Sequence, residues 1–187
     1  MLTDSNKCPV CDFPGTNLRD ILEHLDEDRD LLVTLACDFA ERVYLLSLVP
    51  DQTAAWIVRI RGYWNDALTA PEVAKEIEDA VLSAERQNNG LPVYATRAAW
   101  AAAQTAEEVE KFEAWEEAGE DLVDAIEPAE IAIATATWAV SARGAAKESE
   151  SDEETWQLEH TRELACTCVV LETDPEGTRS RNSLLAS

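Results

Sequence analysis

Apolar residues recur at helical spacing through most of the chain, and the clearest run lies in the segment Ala36–Glu72. From Asp30 to about Leu48, Leu31, Leu35, Phe39, Val43 and Leu46 step by four, four, four and three, the spacing of one helical face. Glu41 and Arg42 fall beside that stripe. Pro50 has no N–H to continue the ladder, so it ends the helix, and Asp51 restarts the chain. The next segment is expected to turn back as a helical hairpin. Its inner face is read as Trp56, Ile60 and Trp64, with Val58 and Leu68. Arg59 and Arg61 lie beside Trp56 and Tyr63 and are read as ion-paired to neighbouring carboxylates, their stems packed on the rings.

Further helices announce themselves by their starts. Thr69-Ala70-Pro71-Glu72 is a capping box for a helix that ends at Asn88-Asn89-Gly90. Tyr94 to Ala103 reads as a short Ala-rich helix carrying Trp100. A second capping box, Thr105-Ala106-Glu107-Glu108, is read as the start of another helix, with Val109, Phe112, Leu122 and Ile126. Pro128 suits the first turn of the next. The segment Pro128–Ala146 is apolar nearly all round, which predicts burial on most sides and makes it the expected central helix. Its Thr135, Thr137 and Ser141 hydroxyls are expected to bond back to the backbone. After a polar loop over Glu148–Glu154, Ser151 is read as the cap of a last helix holding Trp156, Leu158 and Leu164. Cys166–Leu171 is β-branched and suits a short strand or an extended tail, and residues 174–187 have a disordered composition. The predicted fold is an all-α, multi-helix bundle of antiparallel hairpins around a buried Ala-rich helix.

The N-terminal stretch follows another logic. Cys8-x2-Cys11-x12-His24 is three quarters of a two-Cys, two-His zinc finger. A Cys-Pro-x-Cys turn aims two thiolates at one tetrahedral ion, and Asn17 or Thr16 can cap the helix that carries His24. No second histidine follows. Asp28 stands at i+4 from His24, so on a continuous helix it shares that face and supplies an oxygen ligand. The set Cys8, Cys11, His24 and Asp28 is therefore read as a structural zinc knuckle; Cys166 and Cys168, returning from the far end, are an alternative source of a ligand. No H-E-x-x-H motif points to catalytic metal. The division expected is a knuckle unit at 1–29, a bundle at 30–165 and a tail at 166–187.

Composition sharpens this picture. The chain has 187 residues, 46% of them hydrophobic and only 6% aromatic, so Ala and Leu must fill most of the core. Six Gly and seven Pro leave few helix breaks. The net charge is -23, from 38 acidic and 15 basic residues. Such a surface repels nucleic acid and anionic membranes and favours a basic protein partner. No stretch carries the roughly 18 apolar residues of a membrane span. Five cysteines, an odd number, behind an opening that does not read as a signal peptide fit free thiols or metal ligands in a cytoplasmic protein.

Several of these blocks carry a resemblance. Cys37-Asp38-Phe39-Ala40-Glu41-Arg42-Val43, the Pro50-Asp51 corner and the Arg59–Trp64 helix end are similar to the helical domain of immunity proteins of polymorphic-toxin systems. So are the Ala-rich helix over Ala132–Ala146 and the following Trp156-Gln157, and the match runs over roughly residues 30–165. Where that family's pattern has histidines in the Ala-rich helix, Trp138 and neutral residues stand here. The resemblance implies a non-enzymatic binding protein that sequesters a toxin. Charge points the same way, since an acidic surface speeds encounter with a basic enzyme such as a nuclease.

Asp26, Glu27, Asp30, Glu116, Glu117 and Glu120 are the expected partner contacts, within acidic stretches at 26–30, 107–120 and 148–154. No small-molecule substrate is expected. Two other readings remain at this stage: a nucleic-acid mimic directed at a DNA-binding protein, and a thiol enzyme using Cys37 or the Cys166/Cys168 pair with His160 nearby.

Overall fold

Asn17 opens the first helix: its side-chain oxygen accepts from the Asp20 N–H at 2.9 Å, the N-cap geometry expected of it. The computed structural model describes residues 17–25, 28–47, 49–62, 70–87, 93–118 and 126–166, apart from the side chains of residues 70, 84, 85, 87 and 116–118. Seven α-helices run through them: α1 (Leu18–His24), α2 (Arg29–Glu41), α3 (Pro50–Arg61), α4 (Ala70–Gln87), α5 (Tyr94–Ala118), α6 (Pro128–Ala145) and α7 (Glu150–Ala165), with a 3-10 turn at Tyr44–Leu46 between α2 and α3. No strand occurs among the described residues, so the expected all-α class holds there.

α5 and α6 make the most extensive contact and form the centre. α6 also touches α1, α2 and α7, while α5 also touches α2, α3, α4 and the 3-10 turn. Tyr94 of α5 stacks on Trp138 of α6 at 5.8 Å, with Arg97 over the same ring, and both helices bury many small residues. Ala95, Ala98, Ala99, Ala102 and Ala106 of α5, with Ala129, Ala132, Ala136, Ala139 and Ala142 of α6, are all buried. Further bulk comes from the flanking helices, through Ile21, Leu22, Leu32, Leu35, Phe39, Ile57, Ile60 and Ile77. Ile21, Leu22 and Leu25 belong to this same core, so the helix of the N-terminal unit packs into the bundle.

Several expectations need correction. α2 stops at Glu41 instead of reaching Leu48, and a 3-10 turn follows. The Arg42 carbonyl is taken by the Arg143 guanidinium at 2.7 Å, which withdraws it from the helical ladder. Val43 stays buried, but Leu46 leaves the stripe and is only half-buried. Pro50 occupies the first turn of α3, as its missing N–H allows. The buried face of α3 is Thr53, Trp56, Ile57 and Ile60, and Val58 is 68% exposed, not inward. Trp64 and Leu68 lie outside the described residues.

The break expected before Thr105 does not exist. α5 is continuous through it, and the buried Thr105 hydroxyl donates to the Ala101 carbonyl at 3.0 Å instead of capping a new start. Thr135 and Thr137 do the same toward Ile131 and Ile133, as expected. The last helix is capped by Ser149, not Ser151: its hydroxyl accepts from the Asp152 N–H at 3.1 Å. Glu150, Asp152 and Glu153 then fill the first turn, where the helix dipole favours them. Between α6 and α7, Lys147 takes a left-handed conformation (φ 59°), and the Lys147 and Glu148 N–H groups close back on Gly144 and Arg143. The exposed Glu150 side chain lies over Gly144, in the space a Cβ there would need.

Candidate functional site

The inward face of α7 is polar. Glu153, Gln157, Thr161 and Ala165 recur every four residues and are all buried, while Trp156 and Leu158 are half-buried and Leu164 is exposed. Glu153 is 2% exposed; Arg42 Nε and Gln157 Nε2 each donate to its carboxylate at 3.3 Å, and Arg143 Nε lies 3.4 Å away as an ion pair without a hydrogen bond. Arg143 also pairs with Glu148. A buried carboxylate is tolerated only when paired and hydrogen-bonded, and these contacts meet that condition.

One helical turn along, Trp156 joins α7 to α2. The Arg42 guanidinium lies 4.4 Å from the indole centroid, and the His160 ring stacks on it at 4.6 Å with a 14° interplanar angle. Both groups pack on the indole ring. Phe39 meets it edge-on at 6.3 Å. Both kinds of contact suit the negative faces and positive edge of an aromatic ring.

His160 Nε2 is 2.7 Å from Asp38 Oδ2, while Arg61 engages Asp38 Oδ1 and also Glu41. An ionised Asp38 accepts on both oxygens, which puts the His160 proton on Nε2. Burial works against the Arg61 charge, but Asp38, Cys37 and Glu41 more than offset it, and the guanidinium pKa is raised. Cys37 beneath is fully buried, and burial pushes its thiol up to about 12. Burial thus favours the neutral thiol.

Asp38, Glu41, Arg42, Trp156 and His160 line a shallow pocket of about 270 Å³. Asp38, Glu41 and Arg42 of α2, Arg61 of α3 and Trp156 and Gln157 of α7 meet at this network. Gln157 Nε2 donates to the Ala136 carbonyl of the Ala-rich helix at 3.1 Å. Sequence reasoning noticed Glu41, Arg42, Arg59 and Arg61, and expected ion pairs for the last two. Arg59 does pair with Glu76, which also accepts from Trp56 Nε1 at 2.9 Å. Hydrogen bonds from Trp56 and then Arg59 lower the Glu76 pKa. Asp38, Glu153 and Arg143 were missed as partners. The available signal was the polar i, i+4, i+8 row of α7 opposite charged positions flanking an apolar stripe.

The sequence-predicted site residues fall differently. Cys8, Cys11, Asp26, Glu27 and Glu120 lie outside the described residues, as do the side chains of Glu116 and Glu117. His24 is exposed at the last position of α1, where the Leu25 N–H closes on Ile21 and Leu22. Asp28 is therefore not on the same helical face. It is the N-cap of α2, its Oδ1 accepting from the Leu31 N–H at 3.2 Å. Among the described residues no group of three or more His, Cys, Asp or Glu side chains is placed to hold a metal ion.

Asp30 is exposed, as a contact residue must be. Glu107 and Glu108 are partly buried and held by Lys111 at 2.9 and 2.6 Å, so they face inward more than the acidic stretch suggested. The larger exposed carboxylate sets are Glu72, Glu78 and Asp79 on α4, and Glu150, Asp152, Glu154, Glu159 and Glu163 on α7. No described helix is long and apolar enough to cross a membrane. No protein-family model, curated protein or solved structure matches the chain.

Proposed function

We propose that the protein is a non-enzymatic acidic helical binding protein of the cytoplasm that sequesters a basic protein, in the manner of an immunity protein holding a toxin or another nucleic-acid-acting enzyme. The observation that carries this reading is the distribution of charge. At least six of the fifteen cations (Arg19, Arg42, Arg59, Arg61, Lys111 and Arg143) are engaged in ion pairs within the chain, while α4 and α7 present exposed carboxylates. A net charge of -23 then acts outward, steering basic partners and repelling phosphate backbones.

The test is a salt titration on a partner recovered with the full chain. Affinity is expected to fall at least about tenfold as ionic strength rises through the range in which the Debye length shrinks from about 10 Å to 3 Å. The combined change Asp152→Asn, Glu159→Gln, Glu163→Gln is expected to slow association more than dissociation. Affinity indifferent to salt would overturn the reading.

For the N-terminus, the Cys8/Cys11/His24 spacing supports a structural zinc ion, with its fourth ligand outside the described residues or supplied by Asp28 on giving up its cap. Purified protein is expected to carry one zinc per chain by mass spectrometry, and Cys8→Ser to lose it. Metal-free protein with both cysteines reduced would remove this part of the proposal.

A further inference from the structure

Residues of α1, α6 and α7 line a groove of about 540 Å³. Its walls are mostly apolar: Leu18 from α1, Ile133 and Val140 from α6 and Leu158 from α7. This size and lining fall within the range of ligand-binding clefts. Two observations say what kind of occupant fits. Gln157 is 1% exposed and lines the groove, and its Nε2 is engaged by the Ala136 carbonyl and Glu153. The amide nitrogen is thus committed within the chain and is not offered to a ligand. The charge of the rim is the second observation. Arg19 is neutralised by Glu23 at 2.8 Å, leaving Glu154 on the wall and the exposed Glu130 one turn before Ile133.

We propose that this groove seats an amphipathic helix of the basic partner, its apolar row inside and its Lys or Arg side chains toward Glu154 and Glu130. Ile133 to Val140 spans seven residues, about 10 Å along α6. That length matches an i, i+4, i+7 row of anchors on a docked helix. A basic flank answers the anionic rim. The inference rests on the acidic-binding reading above and adds to it a surface and a shape of ligand.

The probe is an amidated, fluorescein-labelled peptide of roughly 16 residues, long enough to turn helical on binding. It is built from Leu, Ala and Lys with Leu on one i, i+4, i+7 row, and compared with a scrambled peptide of equal charge by anisotropy on the full chain. The row peptide is expected to bind about tenfold tighter than the scrambled one, a gap of about 1.4 kcal/mol. Thr137→Trp, at an exposed wall position, should fill the groove and abolish that gap while leaving the weak, salt-sensitive binding of the scrambled peptide intact. Glu154→Lys, which alters no buried contact, should weaken the row peptide independently.

Equal affinity for both peptides, or a gap that survives Thr137→Trp, overturns the groove and leaves the electrostatic reading standing. A concentration-dependent dimer that Thr137→Trp dissolves gives the groove to a second copy and overturns it too. If neither peptide binds even at low salt, the acidic-binding reading fails with it.

Discussion

Glu153 is nearly solvent-free, yet Arg42, Arg143 and Gln157 all converge on it. Replacing one member of a buried charged cluster leaves the others uncompensated, at a cost of about 3–5 kcal/mol. Arg42 keeps a route to water and its place over Trp156, which reduces the penalty. Glu153→Ala is therefore expected to lower unfolding stability by about 3 kcal/mol in urea titrations, the low end of that range. Glu153→Gln, which keeps one acceptor and the volume, should lose less than half as much. Equal losses would mean that charge, not volume or hydrogen bonding, fixes the position. This network was hardly legible in the sequence. Periodicity arguments weigh apolar residues, and on α7 the apolar residues are the partly exposed ones, whereas the buried row is Glu, Gln, Thr and Ala.

At the scale of elements, starts and stops were legible wherever a residue acts through its own backbone. Pro50 and Pro128 sit in the first turns of α3 and α6, and α4 runs from Ala70 to Gln87, close to the span expected for it, with Thr69 outside the described residues. Side-chain caps were less reliable, because a hydroxyl has two uses. Thr105 turns its hydroxyl to Ala101 inside a continuous α5, and Ser149 captures the start of α7 two residues before Ser151. α7 itself differs from its neighbours in what holds it. It touches α1, α2 and α6, but its anchors are the Asp38–His160 contact, the Arg42–Trp156 packing and the Glu153 pairs rather than a large apolar face. Polar contacts of that kind exchange with water readily once strained, so α7 is expected to open below the global unfolding free energy. Native-state hydrogen exchange should find the amides around Gln157–Thr161 less protected than those of α5 around Ala99–Ala103, and Asp38→Asn should widen the difference. Equal protection would place α7 in the same cooperative unit as the core.

For the whole molecule, the all-α class was legible from few glycines, spaced apolar stripes and an Ala-rich segment, and the structure adds that α5 shares the centre with α6. The reason is composition: the Tyr94–Ala103 stretch carries as many small buried residues as Pro128–Ala146, and Tyr94 stacks on Trp138 between the two helices. The outward acidity is a property of the sum, so no single element reveals it. Association with a basic partner should accordingly depend on ionic strength more than on any one carboxylate.

The buried alanines of α5 and α6 have a consequence for how this protein can vary. A core filled by Leu or Phe tolerates loss of volume at a graded cost, since each deleted methylene leaves a partial cavity. A buried Ala holds almost nothing that can be deleted. Apart from glycine, change at Ala98, Ala102, Ala132 or Ala139, all fully buried, runs only toward larger side chains, which must displace whatever packs against them. The centre of the bundle is thus permissive to almost no substitution, while the bulkier flanks contributed by α2, α3 and α4 can drift. Small size at these positions is the inherited quantity here, and the identity of the surrounding hydrophobes is the adjustable one.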